Sequence, residues 1–483
     1  MHSKRSLVVL AGLLCACPHD DDQPAADDSS SSSGGVDTTL SPTTAPETSN
    51  PTTTSATTAE PTDDTSSEED SADASTEASS ESGSTGDATI EVSGTVTGFI
   101  GRPLAGVDVT IGDTTVTTDD EGAFTIAGVT APYDARVVAA DSGATIFLGL
   151  TRADPSLHLC SADGEYHTAE IEGLMSGGAG FPNPSQHVFA VAFDGFDTHD
   201  ESWSYSIGNG PSYHLQPQWY GAAAQEGTVL AVQYHQVDNG HPLDYDGIGV
   251  LDVVISDGGV FADQDLVLAP VGDAVVAGML GVPAEAEYSQ VRMFIGVGEE
   301  ASVLVGYEDD PGDTYSFAAP DGADAWMSTT LIAGVGSSGV FAFRTGIAAD
   351  TLDADLDIPV LPTWDAPANG GMIAQDSMLQ WSGIADAVSV VLLTCEDADL
   401  GVRIVTADSS TPVPDLADLG TLIPAGANCY VVLDQYAPFT DVDAFSAPES
   451  PMRNRSRVDA SYPATALFDG AFATIPDIVL HAE

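Results

Sequence analysis

The four letters HTAE put His167 and Glu170 in the H-x-x-E spacing of a zinc pair, so the first chemistry to weigh is metal-assisted hydrolysis. A further ligand would have to come from elsewhere. The histidines downstream (His187, His199, His214, His235, His241) form a loose group without paired ligand spacing. The residues around HTAE are strand-like, and positions three apart on a strand face opposite ways. We therefore read the match as chance. Neither G-x-S-x-G, G-x-x-x-x-G-K-[ST] nor H-E-x-x-H occurs. The chain is expected to be no enzyme, with a zinc-dependent hydrolase as the most distant alternative.

Calcium is the next chemistry the residue types allow, because hard cations take clustered carboxylate oxygens. Asp119, Asp120 and Glu121 share an expected turn, Asp244 and Asp246 precede Gly247, and Asp350, Asp353, Asp355 and Asp357 crowd the stretch DTLDADLD. Of these, Asp244, Asp246, Asp353 and Asp355 are the calcium candidates, although none completes the D-x-[DN]-x-[DN]-G-x5-E loop. No other cofactor is expected. A third possibility is stacking on a sugar ring by Trp203, Trp219 and Tyr220, which lie in an aromatic-rich stretch from Phe181 to Tyr220. The competing reading makes these rings ordinary core, since aromatics dominate core packing.

The chain that must position these groups has 483 residues and a formal net charge of −63, from 74 acidic against 11 basic residues. Phosphate neutralisation needs clustered Lys and Arg, so nucleic acid is excluded as a partner. Lys4 is the sole lysine, and a third of the arginines after the leader sit in MRNRSR as Arg453, Arg455 and Arg457. These are read as pairing with nearby carboxylates. So acidic a surface serves solubility and self-repulsion first, or adaptation to salt.

Residues 1–16 read as a leader: Lys4 and Arg5, then the apolar run LVVLAGLL, too short to span a bilayer. Its end, Leu14-Cys15-Ala16-Cys17, resembles the bacterial lipoprotein signal, in which an aliphatic residue and two small ones precede the lipidated cysteine. The resemblance makes Cys17 the acceptor. Cys15 is a poor acceptor, because Leu14 would then stand where a small residue belongs. Several acyl chains together would hold the protein to the membrane. The expected location is the cell envelope, at the outer membrane or the cell surface.

From 17 to 88 the chain is Ser, Thr, Asp, Glu, Pro and Ala with no aromatic residue, and it should stay disordered. Such a tether has a reach of roughly 45 Å before charge repulsion extends it.

Residues 89–160 alternate apolar and polar in short runs punctuated by Gly, Pro and Asp, the pattern of a β-sandwich. SGTVTG, RPLAGVDVTIG and TTDDEGAFTIAGV resemble, in order, the motifs of the carboxypeptidase regulatory-like domain family. The resemblance implies a small transthyretin-like, usually non-catalytic sandwich, with Gly106 and Gly122 in tight turns and Val109 and Phe124 in the core. Strand patterns continue through 161–360, which could hold two sandwich units. From 361 to 483 a proline-rich start, Trp381 and Tyr430 loosely resemble fibronectin type III or immunoglobulin-like sandwiches, with Trp381 as core tryptophan and Tyr430 as its late-strand counterpart.

Cys395 and Cys429 lie near expected strand ends there and are the candidate disulfide, leaving Cys160 without an obvious partner. The fold class expected is all-β: tandem β-sandwich domains after a disordered N-terminal tether. The function expected is non-catalytic binding or display at the envelope. Either a glycan (a carbohydrate-binding or adhesive surface protein) or an envelope protein (a scaffold subunit of a complex) would be the partner.

Overall fold

The computed structural model describes residues 89–98, 101–139, 143–159, 165–178, 187–195, 202–206, 211–236, 242–297, 301–322, 325–396, 401–419, 423, 425–437, 439–450 and 469–482. Residues 1–88, with Cys17, and Cys160, Arg453, Arg455 and Arg457 lie outside the described residues.

The protein is all-β, 66% strand and 2% helix. Helical structure among the described residues is one four-residue turn, Val442–Phe445, and a 3-10 turn, Leu416–Leu419. The period-2 pattern explains this: in Thr89–Thr97 the alternate residues Val92, Gly94 and Val96 are buried and Glu91 and Ser93 exposed. Turns rest on glycine and, unusually often, on aspartate. Gly122 (φ 71°) sits where a Cβ would come within 2.6 Å of the Val96 carbonyl, so no side chain fits there. Asp263, Asp310, Asp350, Asp376 and Asp386 all take positive φ, a region whose cost is lowest for Gly, Asn and Asp.

The largest sheet has thirteen strands and draws on all three sequence segments. One end is built from the middle region: Ala301–Asp309, Tyr288–Val297, Ala325–Val335 and Ser338–Ile347. Gly470–Ala482, Asn428–Ala437, Val388–Cys395 and Val402–Thr406 continue it from the C-terminal region. The other end is Gly143–Leu150, Tyr133–Ala139, Asp108–Ile111 and Thr114–Thr117. The joint is a parallel pairing of Val402–Thr406 with Gly143–Leu150, and the other seam pairs Ser338–Ile347 with Gly470–Ala482. The segments 89–160, 161–360 and 361–483 are therefore not closed off as separate sheets. The described residues cluster as one compact unit.

Smaller sheets cover the large one, and strands in the middle layers are buried on both faces. Val388 and Val390 enter one core, while Val391, Leu393 and Cys395 enter another on the opposite side. The same holds for His187–Gly195, where Phe189, Val191 and Phe193 face one core and Ala190 and Ala192 another. Covering both faces removes the polar half of the alternation, which is why VSVVLLTC and VFAVAF read as continuous apolar runs.

In the N-terminal segment Val109 and Phe124 are buried, in a core that also contains Tyr436, Phe439, Phe445 and Phe472 from far along the chain. Trp381 is also buried, donating its indole N–H to Ser389 Oγ at 3.0 Å and stacking on Trp364 at 6.4 Å. Tyr430 is not its core counterpart. It stands on the outward side of its strand at 39% exposure, and Tyr436 is the buried tyrosine of that strand.

Candidate functional site

The strand Glu170–Gly177 lies between Ser212–Leu215, antiparallel to it, and Val260–Phe261 and Leu266–Leu268, both parallel. Its inward residues, Ile171 and Met175, are core, as are Tyr213 and Leu215 on the neighbouring strand. Alternation then sends Glu170, Glu172 and His214 outward. Glu172 and His214 are register partners, and Glu170 is the next outward position on the same strand. His214 Nε2 lies 3.6 Å from Glu170 Oε2 and 3.9 Å from Glu172 Oε1, with all three side chains about half exposed. Among the described residues this is the one group of three or more His, Cys, Asp or Glu donors within 4.8 Å of one another.

His167 and Glu170 do not converge. His167 points inward, its ring 5.5 Å from that of Trp219 and its Nδ1 3.4 Å from Asp257 Oδ1. Glu170, three residues on, occupies the other face. The zinc spacing in HTAE thus joins a core histidine to a surface carboxylate.

Of the calcium candidates, Asp355 and Asp244 have their carboxylates against local partners. Asp355 Oδ1 accepts the Met279 backbone N–H at 2.7 Å, and the Asp353 carbonyl accepts from Arg344. Asp244 is the register partner of His235, 3.7 Å from its Nδ1. Neither Asp244 with Asp246 nor Asp353 with Asp355 belongs to a three-donor group among the described residues. Asp119 is a turn acceptor for the N–H groups of Glu121 and Ala123.

Trp219 is fully buried, and its indole N–H donates to the Ala222 carbonyl at 2.7 Å. It is a core residue and offers no face to a sugar, which removes it from the stacking candidates. Trp203 and Tyr220 lie on the strands Ser202–Ser206 and Gln218–Gly221, and their side chains lie outside the described residues. Tyr213 in the same stretch is buried and donates to the Gln264 carbonyl; burial, chiefly, pushes its hydroxyl up to about 12.

Cys395 and Cys429 are directly opposed across paired strands and joined as a disulfide. Beside it Glu396 accepts from the Tyr430 hydroxyl at 2.8 Å and from the Asn428 amide at 2.9 Å. These bonds, the tyrosine's first, hold the Glu396 carboxyl below its usual value.

No protein-family model matches this chain, and no curated protein matches it. Among solved structures it is similar to a leucine-rich repeat protein from Bacteroides thetaiotaomicron VPI-5482, at 16% identity and a TM-score of 0.15, over 40% of this chain and 26% of that one. It is similar also to the streptococcal ancillary pilin (8% identity, TM-score 0.13, 56% of this chain and 98% of that one). The major pilin subunit of Bacillus cereus is a further likeness (9% identity, TM-score 0.13, 56% and 99%). The chain spans about a quarter (26%) of the leucine-rich repeat protein. Similarity at this level carries neither fold nor function across. No helix among the described residues is long and apolar enough to cross a membrane.

Proposed function

We propose that this is a lipid-anchored, non-catalytic protein of the cell envelope whose folded body binds or displays at the surface. The observation that carries the reading is Leu14-Cys15-Ala16-Cys17 at the end of a short apolar run, followed at once by linker composition to residue 88. Lipid on Cys17 would anchor the chain, and the acidic tether would hold the body away from the bilayer. The layered all-β body and the disulfide Cys395–Cys429 suit an oxidising, exported setting. Cell fractionation of the wild type and of Cys17→Ser tests it. The wild type should partition with detergent-extractable membrane and the variant should be released; a variant that stays in the membrane fraction contradicts lipid anchoring.

Between the two partner classes, a specific observation favours protein over glycan. Trp219 is withdrawn into the core, whereas Val267, Val260 and Leu174 stand on the outer face of one small sheet at 71%, 63% and 52% exposure. These exposed apolar residues share that face with Glu170, Glu172 and His214, and a mixed apolar and charged face supports a protein contact. In-cell crosslinking from a photoreactive residue at Val260 should capture a discrete envelope protein. Glycan-array binding by the purified protein, with no crosslinked partner, would reverse the preference.

A further inference from the structure

We infer that Glu170, Glu172 and His214 form a binding site for a borderline divalent transition metal, of which zinc is the type. The site lies on the sheet surface and binds the ion without catalysis.

The spacing is set by backbone. Glu170 and Glu172 are alternate residues of one strand, and His214 is the register partner of Glu172 on the next. Beneath them Ile171, Met175, Tyr213 and Leu215 are buried in one core, so both strands are held from below. The backbone that carries the ligand set is therefore already ordered when an ion arrives.

The distances suit an ion better than direct contact. At 3.6 and 3.9 Å the imidazole nitrogen is beyond hydrogen-bond range of both carboxylates. Two ligands each 2.0–2.1 Å from a tetrahedral ion stand about 3.4 Å apart, so small rotations of these exposed side chains would close the shell. As a bare surface ion pair the same group would contribute little.

Charge supplies a separate argument. From residue 153 to residue 291 the chain has no lysine and no arginine. Within that stretch histidine is the only side chain that can carry positive charge, and a metal ion is a cation that both carboxylates and the imidazole can share. One nitrogen and two oxygen donors select zinc and its transition-metal neighbours over calcium, which takes six to eight oxygens. Three protein ligands leave one tetrahedral position for water or for a group from a binding partner.

Zinc titration of the purified full-length protein by isothermal calorimetry, with folding checked by circular dichroism, decides the matter. The wild type should bind one zinc saturably, in the presence of a large excess of calcium. Removing the nitrogen ligand in His214→Ala should weaken that event at least tenfold, as should Glu172→Gln, while His481→Ala, whose ring is bonded to Asn428, should leave it unchanged. Zinc binding that is the same in wild type and His214→Ala would overturn the site. Displacement of the zinc by calcium would overturn its metal class, and no saturable event in the wild type would overturn both.

Discussion

Asp443 and Arg152 hold each other in both directions: the Asp443 carboxylate accepts the Arg152 backbone N–H at 3.1 Å, and the Arg152 guanidinium donates to the Asp443 carbonyl at 2.7 Å. The same carboxylate accepts the Thr151 backbone N–H at 2.8 Å and the Thr151 hydroxyl. Nearby, Ser156 N–H donates to the Ser446 carbonyl at 2.7 Å. One short helical turn near the C-terminus thus pins the end of the first segment's sheet onto the rest of the body, over the shared core that holds Phe445 and Leu150. Asp443→Ala should lower the unfolding free energy by about 1–3 kcal/mol, because backbone donors lose their acceptor. Asp443→Asn, which keeps one accepting oxygen, should recover part of it. Urea unfolding measures both, and an alanine variant with the wild-type midpoint would show that the pin carries no stability.

Burial gives the protein an alkaline limit. The hydroxyls of Tyr213, Tyr234 and Tyr315 are pushed up to about 12, chiefly by desolvation, whereas in the unfolded chain tyrosine titrates near 10. Between those values the unfolded chain binds fewer protons than the fold, so stability is intact below about pH 10 and falls as pH rises towards 12. Tyr234→Phe removes one such group and should flatten the decline, by up to ~2–3 kcal/mol at pH 12. Urea midpoints at pH 8, 10, 11 and 12 read this out. An unchanged slope in the variant would contradict the assignment.

Trp219 should behave as core. Trp219→Ala is expected to cost about 3–5 kcal/mol, the range for emptying a buried aromatic site. Its near-ultraviolet circular dichroism should also weaken. A variant that keeps full stability and loses only a binding activity would restore the exposed reading of this residue.

The disulfide closes a loop across 34 positions. The chain-entropy account gives such a bridge roughly 4 kcal/mol, and native strain commonly brings it lower. Reduction, or Cys395→Ser with Cys429→Ser, should therefore lower the melting temperature. Identical melts with and without reductant would mean that the bridge constrains nothing.

Asp310 tests the use of aspartate in left-handed turns. Its φ is 49°, and its N–H donates to the Ser289 carbonyl at 2.9 Å. Asp310→Gly should be nearly neutral, whereas Asp310→Val should cost about 1–2 kcal/mol through the Cβ. Equal stability of the two variants would remove backbone conformation as the reason for aspartate here.

Alternation made the strands of the first segment legible: the short apolar and polar runs between its Gly, Pro and Asp punctuation are the strands Thr89–Thr97, Asp108–Ile111, Thr114–Thr117, Ala123–Thr130 and Tyr133–Ala139. Partners were not legible. Nothing in VRIVT says that it will lie parallel to GATIFLGL some 250 positions earlier, because a pleated strand accepts any neighbour with a matching face. The donor group at Glu172 and His214 was hidden for the same reason, since EIE and YHL become one site only through register. The inward turn of Trp219 and the outward turn of Tyr430 each hang on one residue of phase, which composition does not carry.

The central claim, lipid anchoring through Cys17, is tested most directly by mass spectrometry of the mature N-terminus from membrane-derived protein. The account predicts cleavage between Ala16 and Cys17, with an N-terminal Cys17 carrying acyl mass. A mature chain that begins at any other residue, or at an unmodified Cys17, would contradict it.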